Sequence, residues 1–541
     1  MQYEFETIPQ IWEKRSEVDA DRTALHLKRH GKYESLTWSE VITDILAYVT
    51  TFEKLGVRPG DRVVQFAENR YEWILTDAAI QILQAIHVPI HAPLTGEQVV
   101  EQIRDCGATL AIVSTPELMT KVAQSAAALD SDVTFVMFDG ENGFDPQSLG
   151  GRTCHVIDDV RGNDPERAKA LFRDCLDNLS PDSLATILYT SGTTGEPKGV
   201  MLNQRNLVTN SLATREAIGA GRDDLRLGFL PLSHIFARTC DLYTWIAAGS
   251  ELALAESRET VVQNCQEMKP TILNGVPYFF ELIRRAIASN PGADEAALRN
   301  LLGGRINMCC SGGAALPDHL FDFFQDNGVP LLQGYGLTES SPVITVNSEQ
   351  IFRRGAVGKA IPDVEIKIAD DGEVLSRGPH IMVGYWQKPD ATDEVVRDGW
   401  LHTGDLGRID EDGFLYITGR KKELIVTAAG KNIAPVLLES LLTEDPAIAQ
   451  ALVIGDDRSF LTALIVPDLA AIGESESAET AVESAIAKRL SAVSHHEQVR
   501  KFTMINTPFS IERGEMTPKL SLRRKVIEDH YAAEIAAMYT K

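Results

Sequence analysis

The chain has 541 residues, of which 52 are Lys or Arg and 77 are Asp or Glu, so the formal net charge is −25. Hydrophobic residues make up 44% and charged residues 24%, which is typical of a globular protein and excludes a disordered or fibrous one. The acidic balance argues against a nucleic-acid partner, because an extended phosphate backbone needs clustered Lys and Arg and the sequence has no such block.

The seven cysteines form no CxxC pair, which argues against a disulfide framework or a zinc site. The N-terminus has neither a basic nor an apolar leader region, and no run of eighteen apolar residues occurs. We therefore expect a cytoplasmic protein whose contact with lipid, if any, is peripheral. The sequence leaves the oligomeric state open.

The first 180 residues mix helical periods with short apolar strands, for example at 62–66 and 109–113. Residues 139–164 are rich in Gly, Asp and Asn, which predicts mostly surface loop.

Regular alternation begins near residue 184. Helices are predicted from Pro277 and after Pro317, between apolar runs that predict strands. Those runs are 184–189, 227–232, 251–255, 271–275, 306–310 and 329–333. Strands that alternate with helices indicate a largely parallel sheet with helices on its faces.

The pattern changes again towards the C-terminus. Residues 355–418 indicate a small β-rich subdomain, and the chain after Arg420 indicates a compact α+β unit with a hairpin and a helix near 474–490. We predict an α/β fold with two domains. Residues 1–420 form a large α/β domain that includes the β-rich subdomain, and residues 421–541 form a small α+β domain.

The strongest local signal is the segment 189–199, which reads YTSGTTGEPKG. Its glycines allow backbone N–H groups to approach an anion, its hydroxyls donate hydrogen bonds, and Lys198 adds a full charge. This chemistry suits a polyphosphate. The segment is not a Walker A loop, because an apolar strand-like run follows Lys198 where that loop would open a helix. We therefore predict a loop between two strands.

The segment closely resembles the phosphate-binding signature of the adenylate-forming superfamily, which includes acyl-CoA synthetases, peptide-synthetase adenylation domains and luciferases. Four further motifs are similar to those of the superfamily and follow in the expected order. They are LPLSH at 230–234, QGYGLTE at 333–339, HTGD at 402–405 and GRKKE at 419–423. The resemblance implies a large N-terminal domain of packed α/β subdomains and a small, mobile α+β C-terminal domain, in agreement with the two domains predicted from the sequence pattern.

The resemblance implies a role for each motif residue. The nucleotide would be bound by Thr190, Ser191, Gly192, Thr193, Thr194, Gly195, Lys198, Gly313, Gly334, Tyr335, Gly336, Thr338, Asp405 and Arg420. Mg²⁺ would be held by Glu339 and Thr190. The catalytic residues would be Lys519, Thr338, Glu339 and His234. Lys422 would be the hinge, and Gly430 and Lys431 would contact CoA.

Several of these roles have a direct physical basis. Tyr335 offers an aromatic face on which a purine can stack. Glu339 is a hard oxygen ligand of the kind that Mg²⁺ prefers. Asp405 can accept two hydrogen bonds from the neighbouring hydroxyls of a ribose. The small residues at 311–315 leave room for adenine or for the start of a tunnel, and they also suit tight packing of a helix on a strand.

The sequence departs from the superfamily pattern in two places. Several long-chain relatives carry the C-terminal lysine at the position of Ser521, whereas this chain has Lys519, with Arg523 as the fallback cation. Asn203 and Gln204 stand where relatives often have Thr-His, which we take as tolerated variation.

The resemblance implies ATP-dependent activation of a carboxylate to acyl-AMP, followed by transfer to the CoA thiol, with ATP, Mg²⁺ and CoA as the small-molecule partners. The segment 230–238 is most like that of long-chain fatty acyl-CoA synthetases, so a fatty acid is the expected substrate. The alternatives are an acyl-AMP ligase that loads a carrier protein, a CoA ligase for a medium-chain or aryl acid, and a non-catalytic nucleotide-binding relative.

Overall fold

The computed structural model describes residues 4–129, 133–140, 144–191, 197–288, 296–473, 477–510, 513–516 and 522–540. The elements as far as residue 191 are α1 (Ile8–Val18), β1 (Thr23–Arg29), β2 (Lys32–Thr37), α2 (Trp38–Lys54), β3 (Arg62–Phe66), α3 (Tyr71–Ile82), β4 (Ile86–Ile90), α4 (Gly96–Cys106), β5 (Leu110–Val113), α5 (Pro116–Ala123), β6 (Thr134–Met137), β7 (Cys154–Val156), α6 (Ile157–Val160), α7 (Pro165–Asn178) and β8 (Leu184–Ser191). From 197 to 346 they are β9 (Pro197–Asn203), α8 (Gln204–Ile218), β10 (Leu225–Gly228), α9 (Ile235–Ala237), a π-helical turn (Arg238–Tyr243), α10 (Thr244–Ala248), β11 (Glu251–Leu254), α11 (Val261–Met268), β12 (Ile272–Gly275), α12 (Pro277–Ala288), α13 (Ala297–Leu301), β13 (Met308–Ser311), α14 (Asp318–Asp326), β14 (Leu331–Gly336) and β15 (Val343–Val346).

The β-rich part contains β16 (Lys359–Ala360), β17 (Glu365–Ile368), β18 (Glu373–Arg377), β19 (Gly384–Tyr385), α15 (Pro389–Val395), β20 (Val396–Arg397), β21 (Trp400–Ile409) and β22 (Leu415–Arg420). The C-terminal part contains β23 (Ile425–Val426), β24 (Asn432–Ile433), α16 (Pro435–Thr443), β25 (Ile448–Ile454), β26 (Leu461–Pro467), α17 (Leu469–Ile472), α18 (Ala478–Arg489), β27 (Val499–Met504), α19 (Arg524–His530) and α20 (Ala532–Tyr539).

Two large sheets carry the N-terminal part. Among the described residues, sheet I has the order β16-β15-β14-β13-β12-β10-β11-β1-β2, and sheet II has the order β19-β9-β8-β4-β3-β5-β6-β7. The strands of sheet I from β14 to β1 are parallel, as are those of sheet II from β8 to β7. The predicted parallel α/β architecture is confirmed.

One detail of the prediction was wrong. The strand expected at 227–232 ends at Gly228, and the rest of that run leads to the short helix α9. Most of the described residues in the range 139–164 are loop and turn, as predicted, but β7 adds an edge strand to sheet II there and α6 follows it directly. Three-residue strands of this kind carry too little alternation to be recognised in a sequence.

The β-rich part is built on a sheet with the order β17-β18-β21-β20, with β22 paired to β21. The C-terminal part packs α16 and α18 on the sheet β25-β26-β27 around its own apolar core. Within the described ranges, no helix is both long and apolar enough to cross a lipid bilayer.

Sheet II and α3 enclose a charged network that we call the sealed cluster, made of Asp77, His87, Thr186, Arg238 and Tyr243. All five side chains are buried. The Arg238 guanidinium donates to Asp77 Oδ1 at 2.5 Å, to Thr186 Oγ1 at 2.7 Å and to the Tyr243 hydroxyl at 2.8 Å. His87 Nδ1 lies 2.8 Å from Asp77 Oδ1. The network ties α3, β4, β8 and the π-helical turn together.

The departure at 203–204 has a structural explanation. Asn203 caps α8, because its Oδ1 accepts from Asn206 N at 2.8 Å and Asn206 Oδ1 accepts from Asn203 N at 3.0 Å. Gln204 is buried, and its amide donates to Gln81 Oε1 at 3.0 Å beside the sealed cluster. The two residues therefore have clear local roles.

Candidate active site

The predicted phosphate loop joins two antiparallel strands, as expected. Thr190 near the end of β8 pairs with Lys198 near the start of β9, and Thr190 Oγ1 lies 3.5 Å from the Lys198 carbonyl oxygen. Ser191 closes β8, whereas the predicted residues Gly192, Thr193, Thr194 and Gly195 lie outside the described residues. No helix start follows Lys198, so the charge at this point comes from the lysine itself.

Lys198 and Glu339 meet at one tyrosine, and we call Lys198, Glu339 and Tyr385 the phosphate-side cluster. The Lys198 Nζ lies 4.9 Å from the centre of the Tyr385 ring, and the Tyr385 hydroxyl donates to Glu339 Oε1 at 2.8 Å. Burial raises the pKa of Tyr385, and the Glu339 carboxylate raises it further. The tyrosine therefore stays a neutral donor that fixes the Glu339 carboxylate.

The base of the loop is fastened by the residue after Tyr385. The Trp386 backbone N–H donates to the Gly199 carbonyl at 2.7 Å, and its indole N–H donates to the Asp105 carbonyl at 2.9 Å. A Cβ at Gly199 would lie 2.7 Å from Ile187 Cγ2, so only glycine fits there. The Lys198 side chain is therefore carried by a strand that these contacts hold in place.

A second group, the ribose-side cluster, consists of Tyr335, Asp405 and Arg420. The Tyr335 hydroxyl donates to Asp405 Oδ2 at 2.7 Å, and Arg420 Nε lies 3.2 Å from Asp405 Oδ1. Asp405 and Arg420 stand opposite each other on β21 and β22. Asp405 is 3% exposed, whereas the Arg420 side chain is 55% exposed. The carboxylate is thus enclosed while its arginine faces outward.

Burial raises the pKa of Asp405, and Arg420 and Tyr335 offset that rise only in part. Glu339 also raises this pKa, so its charge lies close enough to act on Asp405. Tyr335 lies near the end of β14, and Glu339 lies in the 3-10 turn Thr338–Ser340 that follows the strand. The structure therefore brings Lys198, Glu339 and Asp405 to one region of the molecule through the two tyrosines.

The glycines that flank Tyr335 differ. A Cβ at Gly336 would lie 1.7 Å from the Pro342 carbonyl oxygen, so this position accepts no side chain. A Cβ at Gly334 would come no closer than 3.4 Å to Val346, which is ordinary contact. Gly336 fixes the turn that places Thr338, which is 9% exposed, and Glu339 behind it.

His234 caps the short helix α9, because its Nδ1 accepts from Phe236 N at 3.2 Å. The Phe236 ring fills the space beside Gly312, where a Cβ would lie 2.9 Å from the ring. Gly313 is more open, with φ +81° and the nearest side-chain atom, on Val276, at 3.9 Å from a Cβ. Of the two expectations for this segment, tight packing applies at Gly312, and space for a ligand remains at Gly313.

The remaining predicted residues lie in the C-terminal part. Lys422 belongs to the short 3-10 turn Lys421–Glu423, and Gly430 and Lys431 are exposed at the tip of the β23–β24 hairpin. Lys519 lies outside the described residues. The fallback Arg523 is exposed, and its guanidinium lies 3.3 Å from the Gly514 carbonyl. The roles of these residues stay predictions.

Mg²⁺ bound with a nucleotide needs only one or two protein oxygens, because phosphates and water supply the rest. The described part of the chain contains no group of three or more His, Cys, Asp or Glu that would form an all-protein metal cage. A single carboxylate beside a lysine and a threonine hydroxyl, as at Glu339, Lys198 and Thr190, fits such a shared site.

Two family models match this chain. A sequence model of the AMP-binding enzyme family matches residues 12–386, and the model of the AMP-binding enzyme C-terminal domain matches residues 422–541. The chain belongs to the AMP-binding enzyme family. The predicted superfamily is therefore confirmed.

One curated relative is the long-chain-fatty-acid–CoA ligase FadD15 of Mycobacterium bovis, which is 34% identical over 94% of this chain and 93% of its own length. Together with the family, it confirms the predicted enzyme class of AMP-forming acid–thiol ligases. Among solved structures, an anthranilate CoA ligase, AuaEII, in complex with anthranoyl-AMP aligns with a TM-score of 0.81 and 21% identity over 98% of both chains. O-succinylbenzoate CoA synthetase of Bacillus subtilis, in complex with ATP and magnesium ion, aligns with 0.74 and 22% identity over 95% of this chain and 98% of its own. These two likenesses confirm the fold.

Sequence reasoning missed Tyr385, Trp386 and the sealed cluster. Tyr385 lies 46 residues from Glu339, and Arg238 lies 161 residues from Asp77. The available signal for Tyr385 was the aromatic pair after Gly384, in a stretch where no element was predicted. Arg238 stood at the end of the quoted segment 230–238, where a charged residue follows an apolar run.

Proposed function

We propose that this protein is a long-chain fatty acid–CoA ligase that uses ATP to activate a fatty carboxylate and passes the acyl group to the thiol of CoA. The observation that carries the proposal is the joining of Lys198, Glu339 and Asp405 through Tyr385 and Tyr335. The name of the mycobacterial relative supports the class of acid and the thiol acceptor.

The first step joins two anions, since a carboxylate must attack the α-phosphorus of ATP. The protein's task is therefore to neutralise charge and to position the groups. Lys198 would hold the outer phosphates, and Asp405 and Arg420 would hold the ribose and the inner phosphate. The bond between the α-phosphorus and the bridging oxygen breaks as the acyl–oxygen–phosphorus bond forms, and pyrophosphate leaves.

Glu339 and the Thr190 hydroxyl would hold Mg²⁺, which supplies electrostatic stabilisation of the departing pyrophosphate. The Tyr385 hydroxyl keeps the Glu339 carboxylate in place from the other side. Thr338, at the start of the same turn, would donate to a phosphate oxygen. Lys519 would bring the last positive charge to the reacting carboxylate.

The second step would need a different position of the small domain. In the first step Lys519 would lie beside the reacting carboxylate, and in the second step the CoA thiol must reach the carbonyl carbon of the same group. The small domain would rotate about Lys422, remove Lys519 and bring Gly430 and Lys431 towards the pantetheine arm. The thiolate then attacks the carbonyl carbon of acyl-AMP, the thioester bond forms and AMP leaves. His234, at the start of α9, would close the acyl side of the site.

The acyl chain would lie against the apolar surface beside Phe236. This ring joins two apolar clusters, one that includes Leu232 and Ile235 and one that includes Cys240, Val343 and Ile361. Each buried CH₂ group contributes about 0.8 kcal/mol, so a longer apolar lining selects a longer chain.

The test is ATP- and CoA-dependent AMP release measured with acids from acetate to stearate. We expect kcat/KM to rise with chain length and to be highest in the range that includes palmitate. Absence of AMP-forming turnover with every acid would reject the enzyme proposal, and a maximum at aryl or short acids would reject the long-chain one. Replacement of CoA by a carrier protein distinguishes the acyl-AMP ligase.

A matched pair of variants assigns the turnover to this site. Lys198→Met removes the cation next to Tyr385, and we expect at least a roughly hundredfold loss of kcat/KM for ATP. Lys488→Met removes an exposed lysine of α18 and serves as the control. Equal activity of the two variants would place the chemistry elsewhere.

A further inference from the structure

Glu373 is a buried carboxylate at the start of β18, and none of the motifs described above contains it. Its side chain is 7% exposed. It receives three donors: His402 Nδ1 at 3.1 Å, the backbone N–H of Gly404 at 2.9 Å and Lys421 Nζ at 3.2 Å. Burial alone would raise the pKa of Glu373, but these donors hold it below its usual value, so the group is an anion.

The first contact acts on the strand that carries Asp405. In the ladder between β18 and β21, Glu373 stands opposite Leu406 and Leu375 stands opposite His402. Three residues of β21 therefore face a single residue of β18 and bulge out of the ladder. A bulge leaves backbone groups without ladder partners.

Glu373 and its neighbour satisfy that bulge. Glu373 Oε1 accepts from Gly404 N, which has a left-handed φ of +72°. The Thr403 hydroxyl donates to the Val374 carbonyl at 2.7 Å, and Asp405 N donates to Thr403 Oγ1 at 3.1 Å. The bulge turns Asp405 towards Tyr335 and Arg420, so one oxygen of Glu373 supports the presentation of the ribose-side carboxylate.

The second contact acts on the segment that links the two parts of the chain. Lys421 Nζ bridges Asp371 Oδ2 at 2.6 Å and Glu373 Oε2 at 3.2 Å. Lys421 directly follows Arg420 and directly precedes Lys422. While Lys421 is bound to the β17–β18 hairpin of the large domain, its ion pairs favour a backbone rotation of the small domain that begins after Lys421.

We propose that Glu373 is a positioning residue with two functions: one carboxylate oxygen holds the bulge that presents Asp405, and the other, through Lys421, fixes the point from which the C-terminal part turns. The inference rests on the proposed function, in which the ribose-side cluster binds the nucleotide and the small domain rotates between the two half-reactions. Glu373 would thereby couple nucleotide binding at the ribose-side cluster to the position of the hinge.

Two substitutions separate the functions of Glu373. Glu373→Gln keeps a carbonyl oxygen for Gly404 N but removes the charge that holds Lys421, and Glu373→Ala removes both. Lys421→Met releases the hinge side alone. Glu365→Gln is the matched control, since Glu365 forms an exposed ion pair with Arg377 on the same hairpin. The half-reactions are measured apart, as pyrophosphate release without CoA and as CoA attack on supplied acyl-AMP.

For Glu373→Ala we expect KM for ATP in the first half-reaction to rise about tenfold, because the bulge loses its acceptor. For Glu373→Gln and Lys421→Met we expect KM for ATP to change little and the rate of CoA attack to fall roughly three- to fivefold. Glu365→Gln is expected to match the wild type in both half-reactions.

The inference is overturned if Glu373→Gln and Lys421→Met match Glu365→Gln in both half-reactions. It is also overturned if every Glu373 variant lowers both rates by one common factor with KM unchanged, since that is the signature of a purely structural role. If the wild-type protein shows no turnover, the proposed function is rejected and not this inference. In that case, calorimetric titration with ATP and Mg²⁺ still tests the bulge, because Glu373→Ala alone should bind more weakly.

Discussion

The sealed cluster and the ribose-side cluster share three kinds of group, a carboxylate, a guanidinium and a tyrosine hydroxyl, and the sealed cluster adds His87 and Thr186. Asp77, Arg238 and Tyr243 are all buried in the first, whereas in the second the Arg420 side chain is 55% exposed. The two environments shift the pKa of the carboxylic acid in opposite directions. Burial would raise the pKa of Asp77, but Arg238 and His87 lower it to about 2, whereas the pKa of Asp405 stays above its usual value.

The difference shows how one set of groups can serve two purposes. In the sealed cluster, the guanidinium donates to three protein side chains within the network and fixes the elements that carry them. In the ribose-side cluster, the guanidinium faces solvent on its outer side, where a ligand can reach it. The same trio is thus structural where the arginine is enclosed and available for binding where it is open.

The largest expected effect comes from Arg238→Met. This change leaves Asp77 as a buried charge without its main counter-ion, so we expect a loss of about 3 to 5 kcal/mol in the free energy of unfolding. Urea denaturation of the two proteins measures the loss.

The matching change in the open trio is Arg420→Met. Because that side chain is mostly exposed, we expect a stability change within about 1 kcal/mol together with a higher KM for ATP. A similar loss of stability in the two variants would contradict the distinction between the clusters.

A second effect concerns the dependence of stability on pH. Burial and Arg238 lower the pKa of His87 to about 4, whereas an unfolded histidine titrates near 6.5. The unfolded state therefore binds the additional proton first, and stability that is complete above pH 6.5 is lost as the pH falls towards 4. We expect the wild type to lose about 2 to 3 kcal/mol over this window from this group.

His87→Gln removes this titration, so urea midpoints at pH 7, 5.5 and 4.5 should vary less in the variant than in the wild type. Asp405 contributes to the pH dependence of stability with the opposite sign. Its pKa is raised in the folded state, so its contribution to stability falls as the pH rises. An unchanged pH dependence in His87→Gln would show that the sealed cluster does not set it.

The smallest effect is expected from Tyr385→Phe, which removes one hydrogen bond to Glu339 in the phosphate-side cluster. We expect the Mg²⁺ concentration for half-maximal rate to rise roughly threefold to tenfold, because the carboxylate is no longer fixed. The measurement is the rate of AMP release against Mg²⁺ concentration.

Tyr416→Phe is the control, since its hydroxyl contacts Asp410 at 3.3 Å and not the site. If the two variants show the same Mg²⁺ dependence as the wild type, Tyr385 does not position Glu339.

The features that could be predicted from the sequence are those set by residues close together in the chain. The alternation of strands and helices gave the parallel sheets, and the order of residues around Lys198 predicted a loop between strands. Lys198, Glu339 and Asp405 could be proposed as site residues because each stands in a short motif with a recognisable pattern, and the structure places the three in one region. The domain boundary near 420 and the roles of Lys422 and Lys519 remain predictions.

The missed residues share a physical cause. Tyr385 and Glu373 act through partners that lie 46 and 48 residues away, and such pairs leave no mark in a local pattern. The bulge at Thr403–Asp405 depends in the same way on Val374 and Glu373, which lie 29 and 31 residues from the groups that they bind. Only the folded chain brings these donors and acceptors together.

Trp386 is an intrinsic fluorophore at the base of the phosphate loop. Its backbone is bonded to Gly199 and its indole to Asp105, so the ring is held beside the strand that leaves the loop. The guanidinium carbon of Arg62 lies 5.8 Å from that ring and polarises it. Binding of an anion beside Lys198 would therefore change the emission of this natural fluorophore, and the arrival of nucleotide can be followed in time without attaching a dye.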